Sequence, residues 1–548
     1  MTSPATTDSA AAGPWAPLRN RIFRALWFAQ LGSNVGSWMQ TVGAQWLLVE
    51  HTRSTVLIAA VQTASLLPVM LLSLPAGVLA DVLDRRRLLL FVQAAMAVVA
   101  GVLAWLTATG LTTPAVLLVL TFMLGCGQAL AGPAWQAIQP ELVPREQIPS
   151  AATLGSLTVN LARAVGPAIA GVLVAAWGPA AVFAINAVSF LGVVAAVAAW
   201  HRSVPADTAR PERALAALHA GTRYVRNAPS VRRILARSAL FVIPGSALWA
   251  LLPIVASARL RLGAGGYGVL LAALGVGAVV GALVLSRLRA HFSANLLLAG
   301  SAVLFGIGTL VLGIVPNTPA VTVVMVLTGL AWLVSLSTLN SALQLHLPAW
   351  VRARALAAYL LVFMGGQAIG SLVWGALANG LGDKSVLIIA AVLLGAAGLS
   401  VRWLPLRELT GKLDRTTTAH WPVPNLVFEP EPDGGPLLVV KRYRIAEPDH
   451  AAFARAIEWV GRSRRRTGAV RWGVYREGDD SDVFVEVFEV PSWDEHLRQH
   501  SVRLTGADAR FEQDATDLAV TEPTVEHLLP FDSVPRTDGA DADADTES

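Results

Sequence analysis

The second half of this chain repeats the first at a constant offset of 204 residues. The offset aligns Gly77 with Gly281, Pro144 with Pro348, Gly166 with Gly370, and Gly171 with Gly375. Residues 20–405 also contain twelve apolar segments, and a helix needs ~20 such residues to span a bilayer. Because parallel six-helix halves are an architecture of transporters, the repeat predicts an all-α membrane protein with twelve transmembrane helices in two six-helix repeats.

The predicted spans are separated by turn residues such as Gly110, Gly178-Pro179 and Gly382. The spans lie near 23–49, 55–79, 88–109, 113–133, 150–176, 179–200, 236–257, 267–286, 293–314, 318–340, 355–380 and 385–404. The resulting domains are a disordered cytoplasmic N-terminus (1–19), an N-terminal six-helix half (20–201), a cytoplasmic amphipathic linker (202–234), a C-terminal six-helix half (235–405), a second linker (406–432), a small α/β domain (433–530) and an acidic disordered tail (531–548).

The composition supports a membrane protein and excludes several other classes. Hydrophobic residues make up 54% of the chain and charged residues only 14%, whereas soluble domains carry about 25% charge. The net charge of +5 comes mainly from arginines between apolar segments, so we expect a lipid bilayer as a partner and no nucleic acid. Cys126 is the single cysteine, which excludes an internal disulfide. The sequence contains no phosphate-binding Gly-x-x-x-x-Gly-Lys loop, so we expect neither ATP nor another cofactor.

Basic residues predict the orientation, because cytoplasmic loops are enriched in lysine and arginine. With the N-terminus inside, the inner links carry Arg85, Arg86, Arg87, Arg145, Arg287, Arg289, Arg352 and Arg354, and the outer links carry Arg53, Arg259, Arg261 and Lys384. Residues 1–15 lack the features of a cleavable signal peptide. We therefore expect both termini in the cytoplasm.

The central link at 201–234 is amphipathic, with leucines and valines interleaved with arginines. Two interpretations fit this pattern: a helix lying on the anionic cytoplasmic leaflet, or a solvated linker.

A family resemblance rests on three stretches. Gly77-Val-Leu-Ala-Asp81 followed by Arg85-Arg86 resembles the loop between spans two and three of the major facilitator superfamily, although Asp84 replaces the usual glycine. Ser33-Asn34-Val-Gly36 and Gln139-Pro140-Glu141 resemble its enterobactin-exporter-like branch, the transmembrane secretion effectors. The resemblance implies a bacterial inner-membrane exporter of siderophore-like or drug-like molecules.

The loop residues Gly77, Asp81, Arg85 and Arg86 are predicted to gate transport. Asp81 ends a helix and could accept hydrogen bonds from a neighbouring helix N-terminus, while the arginines could pair with carboxylates nearby. A cluster formed only when the halves close on the cytoplasmic side would favour one state of the cycle. The alternative is ordinary positive-inside charge beside a helix-terminal aspartate.

Arg163 is the predicted centre of cargo binding or coupling. It lies fourteen residues beyond Pro149, about 21 Å along a helix, and therefore near mid-membrane. An arginine at that depth costs ~2.5–3.5 kcal/mol and should face a polar cavity or a partner. Its repeat mate is Gln367, and Asn160 lies one turn earlier. The alternative is a structural arginine bonded to backbone carbonyls.

Two further patterns complete the predicted pathway. Gly166-Pro167 and Gly171 are expected to form a hinge, because Gly-Pro bends a helix and glycine permits close packing. Gln30, Asn34 and Gln40 share one helical face with Asn340 as counterpart in the second half, and they line either the cavity or a helix contact. Trp38, Trp249 and Trp332 either stack on a planar cargo or lie at the membrane interface.

After residue 432 the pattern changes to a strand (437–445), a helix (449–466), two strands (470–476 and 482–490), a helix (492–505), a short helix and a last strand near 521–529. This order predicts a ferredoxin-like sandwich and resembles small antibiotic-biosynthesis-monooxygenase-like domains, which implies a possible homodimer. His496 and His500 lie one turn apart, but the sequence shows no third metal ligand, and we expect neither a metal site nor catalysis.

The sequence thus predicts a secondary exporter, and not an enzyme, that moves a small organic molecule by alternating access and is coupled to protons. The alternatives are an importer, or a membrane-anchored enzyme or sensor acting through residues 433–530.

Overall fold

The computed structural model describes residues 15–52, 54–200, 214–406, 431–432 and 434–530. Most of the predicted linkers and the predicted acidic tail at 531–548 lie outside the described residues. The chain divides into two compact units. The helical unit contains Met1–Ala209, Arg233–Ala342 and Ala357–Leu406, and the C-terminal unit contains Arg210–Arg232, Leu343–Leu356 and Arg407–Ser548.

The residues up to 406 form long helices. In chain order they are α1 (Arg21–His51), α2 (Thr55–Val82), α3 (Arg85–Ala108), α4 (Pro114–Ile138), α5 (Ile148–Ala199), α6 (Ala214–Asn227), α7 (Pro229–Ile254), α8 (Ala264–His291), α9 (Ala294–Ile314), α10 (Thr318–His346), α11 (Arg352–Leu381) and α12 (Asp383–Leu399). Within the described residues, ten helices are long and apolar enough to cross a membrane, and α1, whose face carries many amides, is not among them.

Three glycines with positive φ set the turns that the sequence predicts. Gly178 has φ 77° and divides α5 into a 148–177 part and a 179–199 part, with Pro179 starting the second part. Gly110 (φ 73°) follows α3, and Gly382 (φ 79°) precedes α12. A residue with a Cβ rarely adopts this backbone conformation, so glycine is required at these turns.

Order begins earlier than the predicted disordered segment 1–19 allows. Ala16–Arg19 form a 3₁₀ turn in which Pro17 is buried, and Asn20 caps α1 by accepting from the backbone N–H groups of Ile22 and Phe23. Leu18 packs against the apolar core of the N-terminal half, which explains why this short segment is held.

The C-terminal unit contains one antiparallel sheet with strand order β2-β3-β1-β4. Its elements are β1 (Leu437–Arg444), α13 (His450–Thr467), β2 (Arg471–Arg476), β3 (Val483–Val490), α14 (Trp493–Arg498), α15 (Gly506–Thr516) and β4 (Thr524–Leu528). A π-helical turn, Gln499–Arg503, extends α14, so the helix predicted at 492–505 is present but changes its winding halfway.

A buried charge network fixes α13 against the sheet. Arg464 is 1% exposed, and its guanidinium lies 3.1 Å from a carboxylate oxygen of Glu486 and 3.1 Å from one of Glu512. Lys441 adds a 2.7 Å contact to Glu512. Burial raises the pKa of the Glu512 carboxyl, but Arg464 and Lys441 outweigh burial and lower this pKa to about 2. Charges this deep in a protein are tolerated only when they are paired.

The amphipathic helix of the central link packs against the C-terminal domain. Arg223 of α6 lies 3.1 Å from a carboxylate oxygen of Glu495, and the Tyr224 ring makes an edge contact with Trp350, which in turn faces Arg503. Ala220 and Tyr224 are buried. The side chains of Ala220 and Tyr224 are thus covered by protein and not by water, so a fully solvated linker does not describe this part of α6. Its placement on the cytoplasmic leaflet stays a prediction.

Candidate functional site

The two six-helix halves contact each other at one end of the helical unit, which we call the closed end. Successive helices alternate in direction, so this end holds the last residues of α1 and α11 and the first residues of α2 and α8. Tyr267 donates a 2.6 Å hydrogen bond to Gln45 Oε1, and its ring stacks on Trp46 at 5.9 Å. Thr55 donates a 2.7 Å hydrogen bond to the carbonyl of Gly375 across the opposite seam. Each seam is thus fixed by a polar hydrogen bond, which is buried at Tyr267 and part-buried at Thr55.

The repeat-related glycines Gly171 and Gly375 allow the two halves to approach closely. A Cβ on Gly171 would lie 2.8 Å from the Cα of Gly268 in α8, and a Cβ on Gly375 would lie 2.5 Å from the Cβ of Ala59 in α2. Neither position can carry a side chain without a shift. The predicted role of Gly171 in close helix packing is therefore confirmed, and the structure identifies its neighbour as the other half.

The predicted hinge at Gly166-Pro167 is a packing point within the N-terminal half. A Cβ on Gly166 would lie 2.7 Å from the Cβ of Trp38 in α1, and Pro167 is buried beside it. The backbone of α5 keeps helical angles through both residues, and the break within α5 falls at Gly178 instead. Helical backbone angles do not exclude a proline bend, so the hinge at Gly166-Pro167 stays a prediction.

A small cavity lies between the two halves, beside the contact between α5 and α8. Arg163, Trp38 and Pro167 line it from the N-terminal half, and Trp249, Trp332 and Gly275 line it from the C-terminal half. Its walls therefore come from both halves, as expected for a substrate path between them. Cavities lined by aromatic rings with few polar groups are typical small-molecule sites.

Arg163 provides the positive charge of this cavity. Its guanidinium carbon lies 5.7 Å from the centroid of the Trp38 ring, a cation–π geometry. Among the described residues no hydrogen bond or ion pair to its guanidinium is recorded, so the alternative of an arginine bonded to backbone carbonyls gains no support. Arg163 thus lies beside a cavity between the halves, but the walls of this cavity are apolar and aromatic rather than polar as the sequence predicts. Its role in cargo binding or coupling stays a prediction.

Three tryptophans form one aromatic wall in the interior. Trp249 lies 6.4 Å from Trp38 and 5.6 Å from Trp332 between ring centroids, and Phe241 and Phe363 continue the wall beyond Trp332. The indole Nε1 of Trp249 is buried without a recorded hydrogen-bond partner, which leaves a donor for an incoming acceptor group. An interfacial location for these tryptophans is wrong.

The other predicted binding residues lie outside the described lining of this cavity. Gln40 is buried and accepts a 3.2 Å hydrogen bond from Asn186, so it serves a helix contact within its own half. Asn160 donates to the carbonyl of Ser156 on its own helix. Gln367 is buried in α11, and Gln30, Asn34 and Asn340 are half-buried, with the side-chain oxygen of Gln30 enclosed without a recorded partner.

The predicted gating arginines are held within the N-terminal half. Arg85 makes a 2.7 Å ion pair with Glu141, which joins two sequence motifs that lie far apart in the chain. Arg86 donates to the carbonyls of Val197 and Ala198 at the end of α5. Pairing with a carboxylate is thus confirmed for Arg85 and wrong for Arg86, because the carbonyls left unpaired at a helix end attract the nearest cation.

The turn between α2 and α3 is made without the usual glycine. Asp84 caps α3 by accepting a 2.8 Å hydrogen bond from the backbone N–H of Arg87. Around Gly77 there is open space, since a Cβ there would meet nothing within 4 Å. Asp81 lies in the last turn of α2, and its side chain is outside the described residues. Its gating role stays a prediction.

A histidine cluster in the C-terminal unit was missed by the sequence analysis. The Nε2 atoms of His496 and His500 lie 3.0 Å apart, and His527 on β4 brings a third ring, with the ligating nitrogens all within 4.8 Å of one another. Burial, together with the neighbouring His500 and His527, lowers the pKa of His496 to about 2. The third histidine was not recognisable, because strand pairing rather than sequence spacing places it.

Comparisons with known proteins agree with this architecture. The family model described as transmembrane secretion effector matches residues 12–534. The chain is 28% identical to the enterobactin exporter EntS of Citrobacter koseri over 425 residues, covering 76% of this chain and 96% of that one. It is 26% identical to the multidrug efflux pump Tap of Mycobacterium tuberculosis over 399 residues (70% and 93%), and 26% identical to the staphyloferrin A transporter of Staphylococcus aureus over 280 residues (50% and 70%).

Solved transporter structures share the fold at low sequence identity. The nucleoside transporter NupG superposes with a TM-score of 0.58 at 13% identity, covering 70% of this chain and 100% of NupG. A bacterial homolog of the human lysosomal transporter Spinster gives a TM-score of 0.53 at 14% identity, covering 71% of this chain and 95% of its own. These likenesses show the fold of residues within the helical unit and leave the cargo open.

Proposed function

This chain belongs to the transmembrane secretion effector family of the major facilitator superfamily, and on that premise we propose that it exports a small organic molecule by alternating access. Like its relatives, it is a multi-pass membrane transporter and not an enzyme. The cargo class is siderophore-like or drug-like, because the relatives are a siderophore exporter, a siderophore transporter and a multidrug pump. The membrane is the bacterial plasma membrane.

The observation that carries the proposal is the cavity at Arg163. It lies between two halves that touch at the closed end, so a molecule bound there would be exposed or enclosed as the halves rock against each other. An aromatic wall with one cation favours planar cargo that carries negative charge or acceptor groups. Catecholate and carboxylate chelators and many aromatic drugs have this chemistry.

The proposed membrane topology has twelve spans. The ten candidate helices become eleven when the two parts of α5 are counted separately at Gly178. α1 is the twelfth, and its Gln40 and Gln45 accept hydrogen bonds inside the protein. With both termini in the cytoplasm, the closed end faces outward and this structure corresponds to an inward-facing state. We further propose a ferredoxin-like fold for residues 433–530, supported by its β2-β3-β1-β4 order, and a homodimer through that domain.

Proton coupling is the proposed energy source, and transport into vesicles tests it together with the cargo. Proteoliposomes holding the purified protein are given a pH gradient and a mixture of dyes, antibiotics and chelator ligands, and the accumulated compounds are identified by mass spectrometry. We expect gradient-dependent movement of at least one compound that is lost in Arg163→Ala. Ser156→Ala, an exposed position two turns away on α5 and outside the cavity lining, is the matched control and should transport normally.

The outcomes separate the alternatives. If the cargo moves in the same direction as the protons, the result would support an importer. Transport that is equal in wild type and Arg163→Ala would contradict the assignment of the cavity as the cargo site. Movement of cargo with no dependence on the pH gradient would refute proton coupling while leaving the transporter intact.

A further inference from the structure

We propose that His496, His500 and His527 form a binding site for one divalent transition-metal ion of the zinc class. The site lies entirely within the C-terminal unit and is separate from the cargo cavity of the helical unit. Imidazole nitrogens are preferred ligands of zinc, and three histidines with one open position are a recurring zinc arrangement.

The distances are close to those that a metal requires. Zinc–nitrogen bonds of ~2.0–2.1 Å at tetrahedral angles place ligating nitrogens about 3.4 Å apart. The Nε2 atoms of His496 and His500 are already 3.0 Å apart, and the widest separation in the group is at most 4.8 Å. A movement of about 1.4 Å or less, within the range of a side-chain rotation of His527, completes the geometry.

Regular backbone elements hold the three rings. His496 belongs to α14, His500 lies in the π-helical turn Gln499–Arg503, and His527 is on β4, paired with Val439 of β1. Single π-helical turns often mark functional sites. His496 is 0% exposed and His500 is 6% exposed, whereas His527 is half-buried and provides a route to solvent for the ion and for a water ligand.

The surroundings of His496 fit a metal ligand better than a simple hydrogen-bonded pair. A metal on Nε2 fixes the ring proton on Nδ1, and metal-bound histidines normally donate that proton to a nearby acceptor. The Nδ1 atom of His496 has no recorded partner, and the buried Oε1 of Gln499, three residues further on, has none either. Gln499 is oriented by its own 2.9 Å donation to Thr467, which leaves Oε1 as the available acceptor.

Nearby charge does not oppose a cation. Arg464 is a positive group that acts on His496, and its charge is offset by its ion pairs with the carboxylates of Glu486 and Glu512. Arg503, in the same turn as His500, is paired with Glu495.

The test uses the full-length protein carrying a histidine-free affinity tag, stripped with a chelator and dialysed in detergent. Zn²⁺ is added, unbound ion is removed by gel filtration, and retained metal is counted by mass spectrometry. Co²⁺ serves as a second probe, because a four-coordinate site gives it strong visible absorption. His527→Gln is the first variant, since it changes a half-buried strand position, and His219→Gln, an exposed histidine of α6, is the control.

We expect one Zn²⁺ per chain in wild type and in His219→Gln. Affinity should fall by more than about a hundredfold in His527→Gln, because even losing an outer-shell partner costs about 10–100-fold. Circular dichroism and gel filtration confirm that the variant is folded. Retention of no metal by the wild type, or equal retention by His527→Gln, would overturn the site and indicate a histidine hydrogen bond only.

Discussion

Replacing Gly268 by alanine tests whether the closed end is a state that the transporter must enter. A Cβ at this position would lie 2.7 Å from the Cα of Gly171 and 2.9 Å from the carbonyl oxygen of Pro167. Both neighbours are backbone atoms, which cannot rotate away as a flexible side chain can. Ordinary contact begins near 3.4 Å, so α5 and α8 would have to separate by about 0.7 Å.

The magnitude follows from the cost of overpacking. Forcing a methyl group into a packed interface costs ~1–3 kcal/mol. This cost applies only to conformations in which the two helices touch, so it shifts the population away from the closed end by about 5–150-fold. Gly265→Ala is the matched control, because a Cβ there meets its nearest neighbours at 3.9 Å, an ordinary contact three residues away on the same helix.

The assay is a spin-label distance measurement between two exposed positions at the closed end, Leu111 in the N-terminal half and Lys384 in the C-terminal half. The labels are attached to introduced cysteines in a Cys126→Ser background. Gly268→Ala should populate longer distances and lower the transport rate, and Gly265→Ala should do neither. Identical distance distributions for the two alanine variants would refute the argument from close approach.

Three more predictions concern separate parts of the molecule. Arg163→Lys should transport faster than Arg163→Ala in initial-rate assays, because lysine keeps the positive charge. It should still be slower than wild type, because the desolvated cation–π contact of the guanidinium, worth ~2 kcal/mol, is lost. Equally slow transport by the two variants would assign the role to the planar guanidinium. Asp81→Asn should slow cycling at unchanged KM, measured by exchange and net-flux assays, and a change in KM alone would argue against gating. The lowered pKa of Glu512 (about 2 against 4.5) stabilises the fold above pH 4.5 by ~3 kcal/mol, a contribution lost as pH falls towards 2. Glu512→Gln should therefore weaken hydrogen-exchange protection of residues 437–528 at pH 7, and its difference from wild type should vanish near pH 2; a pH-independent difference would contradict this.

Features encoded locally or by the repeat could be predicted from the sequence. Gly110, Gly178 and Gly382 indicate turns, because only glycine readily adopts the positive φ angles found there. The offset that pairs Gly171 with Gly375 predicts equivalent roles, and both glycines are found between the halves. The strand predicted at 437–445 is found at Leu437–Arg444 for a similar reason, since alternation is a local pattern.

Features that depend on tertiary contact could not be predicted. A polar residue on an apolar helix must avoid lipid, but the rule does not say whether a cavity or a helix receives it, and Gln40 turned out to face Asn186. Arg86 was expected to find a carboxylate and found helix-end carbonyls, since the competing acceptor was invisible in the sequence. His527 joins His496 only through the pairing of β4 with β1.

The contact between Arg223 and Glu495 also limits when the C-terminal unit can assemble during synthesis of the protein. The two residues are 272 positions apart, so at ~5–20 residues per second the ribosome makes the second about 14–54 s after the first. During that interval α6 has been made, but the surface that buries Ala220 and Tyr224 has not. The C-terminal unit therefore assembles only after the last membrane helix has been synthesised, and a nascent chain stalled before Glu495 would present α6 uncovered to chaperones and proteases.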